Sequence, residues 1–323
     1  MTTIGVSQQF VNPAKRHARA ALASAEIGIA QADAQVEARS VRLQTALAWI
    51  DLYYAGKRLE QLRLLDQSLG DLQSTVSSRL VSGSARPSQA LEPDQLRAQV
   101  NDRRAALIAE MAKARATLAR FTGDPDPQVA GAPPVLTVSP ASLKAGIAQL
   151  PSLRALDAQT AAADAETRLA RADKRPDYTV SASYGRREPN FGDLVSVGVS
   201  IDLPLFSKRR QDPKIAARAS EAARTRFIRQ AVEREIVAAL NSDLADHAMH
   251  HQRSENARNT LVPLAAKRAE LDRDSYGAGT VDLGSALLSS LALAEAEIEA
   301  LAREAEVARD AIRINLTYGE DSE

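Results

Sequence analysis

RPDYTVSASYGRREPNFGDLVSVGVSIDLPLF, residues 175–206, is the stretch in which side-chain character alternates with a period of two. Tyr178, Val180, Ala182 and Tyr184 alternate with Thr179, Ser181, Ser183 and Gly185. Val195, Val197, Val199, Ile201 and Leu203 alternate in the same way with Ser196, Gly198, Ser200 and Asp202. That period belongs to strands, and the polar run over 186–193 reads as the connection of a hairpin. Each strand is about ten residues long, enough to cross a bilayer at a tilt with one apolar and one polar face. A soluble hairpin packed on a helix would alternate too. A lone hairpin is marginal in water, however, and its open edges invite pairing with further copies. Closure into a barrel by oligomerisation meets both needs and makes Val195, Val197, Val199 and Ile201 the candidate lipid-facing residues.

Outward from this stretch the pattern is helical. Helices are expected over about 14–79, 89–121, 151–173, 213–276 and 283–316, and a short strand over 3–11. The turn signals between them are Ser82–Pro87 and Gly277–Thr280, and a proline-rich linker covers 122–142. At about 1.5 Å per residue the two longest helices would each approach roughly 100 Å. Leu287, Leu291, Ala294, Ile298, Leu301, Ala305, Ala308 and Ile312 follow a 4-3-4-3 spacing, the seam of helices lying side by side in a left-handed coil. Aromatic residues make up only 4% of the chain, which suits long helices better than a compact core.

The chain repeats itself. A shift of 196 residues lays Gly83 on Gly279, Leu91 on Leu287 and Gly123 on Gly319, and Ser24 and Val41 fall on Ser220 and Val237. With a small gap, Ile4–Ser7 falls on Val197–Ser200. The expected organisation is a partial first repeat over 1–123, a linker over 124–150 and a complete second repeat over 151–323. Because the first repeat opens at its second strand, a signal peptide, a helix and one strand are expected to precede Met1 in the complete protein.

Lys plus Arg equals Asp plus Glu at 41 each, so no field favours nucleic acid. There is no cysteine, and no run of apolar residues is long enough for a membrane-spanning helix. A Gly-rich phosphate loop, a nucleophile elbow and an HExxH motif are all missing from the sequence, so an enzyme is not expected, and no cofactor is expected either.

Residues 175–184 and 195–206 resemble the second hairpin of TolC-family outer-membrane factors. Tyr276–Thr280 followed by Ser285-Ala-Leu-Leu resembles the family's periplasmic tip turn, and Lys208–Ile215 is similar to its heavy-metal branch, the CzcC and CusC type. The resemblance covers essentially the whole chain. It implies a mainly helical fold with a small β part. Long antiparallel helices form a trimeric periplasmic α-barrel, and strands from each chain share an outer-membrane β-barrel. It also implies a homotrimer set in outer-membrane lipid, a periplasmic adaptor, an RND pump of the inner membrane, and export of heavy-metal cations without chemistry. The same duct could serve drugs or a secreted protein, and a soluble structural coiled coil is the rival from another class.

Gly83, Ser84, Gly279 and Thr280 are the candidate adaptor-docking residues, the two glycines supplying the positive φ of a tight helix reversal. The family often places an acidic residue six positions after that glycine; here Gln89 and Ser285 stand there. Asp272, Arg273, Asp274 and Asp282 are the candidate substitutes for a gate, weighed against an ordinary charged surface near a helix end. His247 and His251, one helical turn apart, could both reach one cation. Packed or solvated histidines are the blander reading, and a duct gains nothing by holding its cargo. Trp49, Tyr53 and Tyr54 read as interhelical packing rather than as a ligand platform.

Overall fold

Small and long unbranched residues carry helices over most of the chain, and the period-two stretches carry the strands. The computed structural model of the protein describes residues 2–81, 91–187 and 192–319. In chain order these are β1 (Thr2–Phe10), α1 (Pro13–Val81), α2 (Glu92–Thr122), α3 (Pro140–Gly146) and α4 (Pro151–Ala172). The hairpin β2 (Asp177–Arg186) and β3 (Leu194–Asp202) follows. Then come α5 (Ser207–Asn256), a wide π turn (Ala257–Leu261), α6 (Val262–Gly277) and α7 (Leu283–Tyr318). The fold class matches the expectation, mainly helical with a small antiparallel sheet. The turn expected at 82–87, with Gly83 and Ser84, lies outside the described residues.

Two boundaries differ from the sequence reading. The helix expected to start at Pro213 starts at Ser207 and carries Pro213 inside it. The expected single helix over 213–276 is interrupted at 257–261. Pro263 has no N–H for the carbonyl of Asn259, and widening the turn before it accommodates the lost bond. The ends agree better: shifting α1 and α2 by 196 residues carries Val81 to Gly277 and Thr122 to Tyr318, the last residues of α6 and α7. Gly123 ends α2 with φ 73°, whereas Gly319 ends α7 with φ −74°. The two glycines share a position but not a conformation.

Contacts divide the chain into two compact units that cut across both sequence halves. The first, residues 1–37 and 147–237, holds the sheet, α4 and the strand-proximal parts of α1 and α5. Its helices pack through small side chains, Ala18, Ala32, Ala155, Ala163, Ala165, Ala170 and Ala222 all being buried. A Cβ on Gly28 would lie 3.5 Å from that of Ala158, so α1 and α4 run close together. Along the other side of α4, Asp157, Asp164 and Glu166 accept from Arg229, Arg226 and Arg218 of α5 at 2.9, 2.6 and 2.7 Å.

The second unit, residues 38–146 and 238–323, has its core where α1, α2, α6 and α7 meet. Leu62, Leu65, Leu69, Leu96, Val100, Tyr276, Leu283, Leu287 and Ile298 pack together there. Further along, Ile50 and Tyr54 of α1 pack on Ala305 and Ile312 of α7. Every residue of the expected 4-3-4-3 seam lies in one of these two clusters. Ion pairs join the same helices: Arg58 of α1 reaches Glu110 of α2, and Arg309 of α7 reaches Asp51 of α1, each at 2.5 Å.

Candidate membrane sheet, tip turn and histidine cluster

The three strands form one antiparallel sheet in the order β1-β2-β3. Register sets Val6 beside Ala182 and Ala182 beside Val197, and the rows above and below repeat the pattern. One face therefore carries Ile4, Val6 and Phe10, then Tyr178, Val180, Ala182 and Tyr184, then Val195, Val197, Val199 and Ile201, with Gln8 the polar exception. Val195, Val197, Val199 and Ile201 are 70%, 74%, 67% and 48% exposed, so no described helix covers them. In water such a surface would be a liability.

The opposite face carries Thr3, Ser7 and Gln9, Thr179, Ser181 and Ser183, Ser196 and Ser200, with Gly5 and Gly198 among them. A Cβ on Gly5 would come within 3.2 Å of the Ser183 Cβ, and one on Gly198 within 3.1 Å of the Ser181 hydroxyl. Small residues at these points let neighbouring side chains and backbone approach closely. The chain thus offers a sheet apolar on one side, polar on the other, with β1 and β3 as edges.

The sequence reading expects lipid-facing residues on β3; the register sets Ile4, Val6 and Phe10 of β1 on the same apolar face. The match of Ile4–Ser7 to Val197–Ser200 already contained that signal, because equivalent strands share a face. Below the sheet, Asp177 accepts from the backbone N–H of Asn12 at 2.9 Å and from Lys15 Nζ at 2.8 Å, tying the start of β2 to the start of α1.

At the tip, Gly279 has φ 77°, as a tight reversal requires. Its neighbour Thr280 folds back, its backbone N–H and hydroxyl both donating to the Ser275 carbonyl, at 2.9 and 3.0 Å. Both residues are exposed. Of the gate candidates, Asp272 faces Arg268 one turn back at 3.6 Å. Arg273 and Asp274 are exposed. Asp282 caps α7, accepting from the Ser285 N–H at 2.9 Å and its hydroxyl at 3.0 Å. These hydrogen bonds hold its carboxyl below the usual carboxylate range. Among the described residues no hydrogen bond or ion pair joins the four to one another; each has its own local setting.

The histidines lie in the second unit, where α5 borders a cavity of about 1280 Å³ that Tyr53, Tyr54 and the segment 132–138 also line. The rings of His247 and His251 stand 6.3 Å apart at 67°. Burial lowers the His247 pKa, against the raising effect of Asp310, and its Nδ1 is buried without a hydrogen-bond partner. Among the described residues no group of three or more His, Asp or Glu side chains converges as a metal site would require. His250, between them in sequence, turns the other way: its Nδ1 pairs with Asp310, 2% exposed, at 2.6 Å. Arg313 holds the other oxygen of that carboxylate. The aromatic cluster packs, Trp49 stacking on Tyr53 at 5.7 Å and Tyr53 meeting Tyr54 edge-on at 5.2 Å. Burial pushes the Tyr54 phenol up to about 12.

No family model matches the sequence, and no curated protein matches it either. Solved structures do. A membrane protein from Pseudomonas aeruginosa superposes with a TM-score of 0.84 at 15% identity, over 98% of this chain and 84% of that one. The open state of the Neisseria gonorrhoeae MtrE outer-membrane channel gives 0.83 at 15% identity, over 98% and 79%. The Campylobacter jejuni CmeC outer-membrane channel gives 0.82 at 12% identity, over 99% and 71%. At such identities the likeness is one of fold, and two of these three proteins are outer-membrane channels.

Proposed function

We propose that this chain is the outer-membrane exit duct of a tripartite efflux pump. Three copies share one β-barrel, and their helices continue as a hollow periplasmic tube through which substrate passes without chemistry. The tip turn at Gly279 and Thr280, with Gly83 and Ser84 as its counterpart in the first repeat, docks a periplasmic adaptor that links the duct to an RND pump of the inner membrane. Asp272, Arg273, Asp274 and Asp282, multiplied by symmetry, supply the charge near its mouth. The cargo is heavy-metal cations, a choice resting only on the likeness of residues 208–215 to the metal branch. His247 and His251 form part of the wall, since tight binding would slow export.

One observation carries the reading: a sheet whose apolar face is uncovered by its own chain while its other face is polar and crowded with small residues. Such a sheet is stable when lipid covers the first face and a water-filled lumen the second. The fold shared with outer-membrane channels supports it. Because the protein has no cysteine, single substitutions report cleanly. In outer-membrane vesicles, Ser196→Cys should react with a charged, water-soluble maleimide. Val197→Cys should resist it and react with a lipid-soluble one. Equal labelling of both by the charged reagent, or recovery of the protein as a soluble species, would remove the duct.

A further inference from the structure

The basic residues near the strand–helix junction fall into two groups. Lys15, Lys174, Lys214 and Arg218 are matched to Asp177, Asp212, Asp173 and Glu166. Arg168 and Arg171, on the side of α4 that faces α1, and Arg175, just past the end of α4, make no ion pair among the described residues. They line a groove of about 350 Å³ with His17, floored by the buried Ala18 and Ala172. The sorting follows the helix: α4 turns its carboxylates toward the cations of α5 and its guanidinium groups toward the groove.

We propose that this groove docks the phosphate of an anionic phospholipid in the periplasmic leaflet of the outer membrane, an inference that rests on the membrane reading of the sheet. Its height argues for it. On the apolar side the alternation of β3 runs on past Ile201 to Leu203, 64% exposed and next to Asp202, the partner of Asp177. Arg175, two residues before Asp177, lies at about the level of Leu203, and Arg171 and Arg168 follow at about 6 and 10 Å further. The polar layer of a bilayer leaflet is about 5–8 Å deep, so Arg175 and Arg171 fall within it. Exposure selects the occupant. The three arginines and His17 are open to solvent, where a dissolved phosphate ion would be weakly held and screened by salt. A headgroup is already concentrated in the plane of the groove, and Arg presents a fork that fits phosphate oxygens two at a time.

The test inserts the full-length protein into phosphatidylcholine vesicles with and without about a third phosphatidylglycerol, and measures by flotation the fraction inserted and its preference for the anionic vesicles. The wild type should prefer them, and each of Arg168→Gln, Arg171→Gln and Arg175→Gln should reduce the preference by about fivefold. Should these variants misfold, the wild type alone still reports: its preference must fall between about 0.05 M and about 0.5 M salt. Insertion with no anionic preference, or variants that keep it, overturns the lipid site alone. Preference abolished by millimolar inorganic phosphate at constant ionic strength reassigns the groove to a free anion and overturns it too. Failure to insert into either vesicle overturns the membrane reading and this inference together.

Discussion

Asp282 shows how one side chain can answer to two readings. Its carboxylate caps α7 through the N–H of Ser285, which is reason enough for an acidic residue at that position. Asn is as good a cap as Asp, and Ala is not. Asp282→Asn should therefore keep the melting temperature at neutral pH, and Asp282→Ala should lower it by a few degrees in thermal scans. The sign of the pH dependence follows from the depressed carboxyl: its contribution is present above the unfolded-state value near 3.8 and is lost as pH falls through the lower folded value. The wild type should lose that increment on acidification and Asp282→Asn should not. If Asp282→Asn leaves stability intact but changes channel conductance, the residue serves the mouth as well as the helix; unchanged conductance would leave the cap as its whole role. The same residues mark what a sequence can carry at this scale. Gly279 was legible because a tight reversal demands positive φ. The partners of His250, sixty residues away at Asp310, were not, because spacing along a helix says nothing about which helix lies opposite.

At the scale of elements, the best-read piece is α7 and the worst-read is the long helix before it. The seam of α7 was legible because a sustained 4-3-4-3 pattern constrains packing directly, and its members lie in the two core clusters. Leu287 and Ile298 are both nearly inaccessible, whereas Leu288, one residue along, is 64% exposed. Leu287→Ala and Ile298→Ala should each cost about 2–4 kcal/mol in denaturant unfolding, and Leu288→Ala less than about 0.5 kcal/mol. Comparable losses at Leu287 and Leu288 would contradict the seam. The helix before it is harder to read because a proline in sequence looks like a helix boundary. Pro213 lies inside α5, and Pro263 is absorbed by a π turn, a local geometry that no hydrophobic period announces. Strands tell a similar story. Period two fixes which residues share a face, but the neighbour that completes the sheet, β1 against β2, is a tertiary fact.

For the whole molecule, the decisive asymmetry is between two adjacent residues of β3. Val197 sits in the middle row of the apolar face, level with Ala182 and Val6, and Ser196 points to the crowded polar face. If lipid covers the first face, the middle row lies near the bilayer midplane, where an arginine costs about 2–4 kcal/mol. Val197→Arg should then deplete the assembled protein in the outer membrane by on the order of a hundredfold, while Ser196→Arg, facing water, should assemble nearly as the wild type does. Quantitative blotting of membrane fractions, with stability of the helical unit followed separately by circular dichroism, measures both. A soluble protein would reverse the order of harm. Arginine on an uncovered apolar face would improve solubility at Val197, and the bulky side chain would crowd the polar face at Ser196, near Gly198, where an added Cβ would stand 3.1 Å from the Ser181 hydroxyl. The direction of that difference, more than its size, separates a membrane wall from an exposed sheet in water.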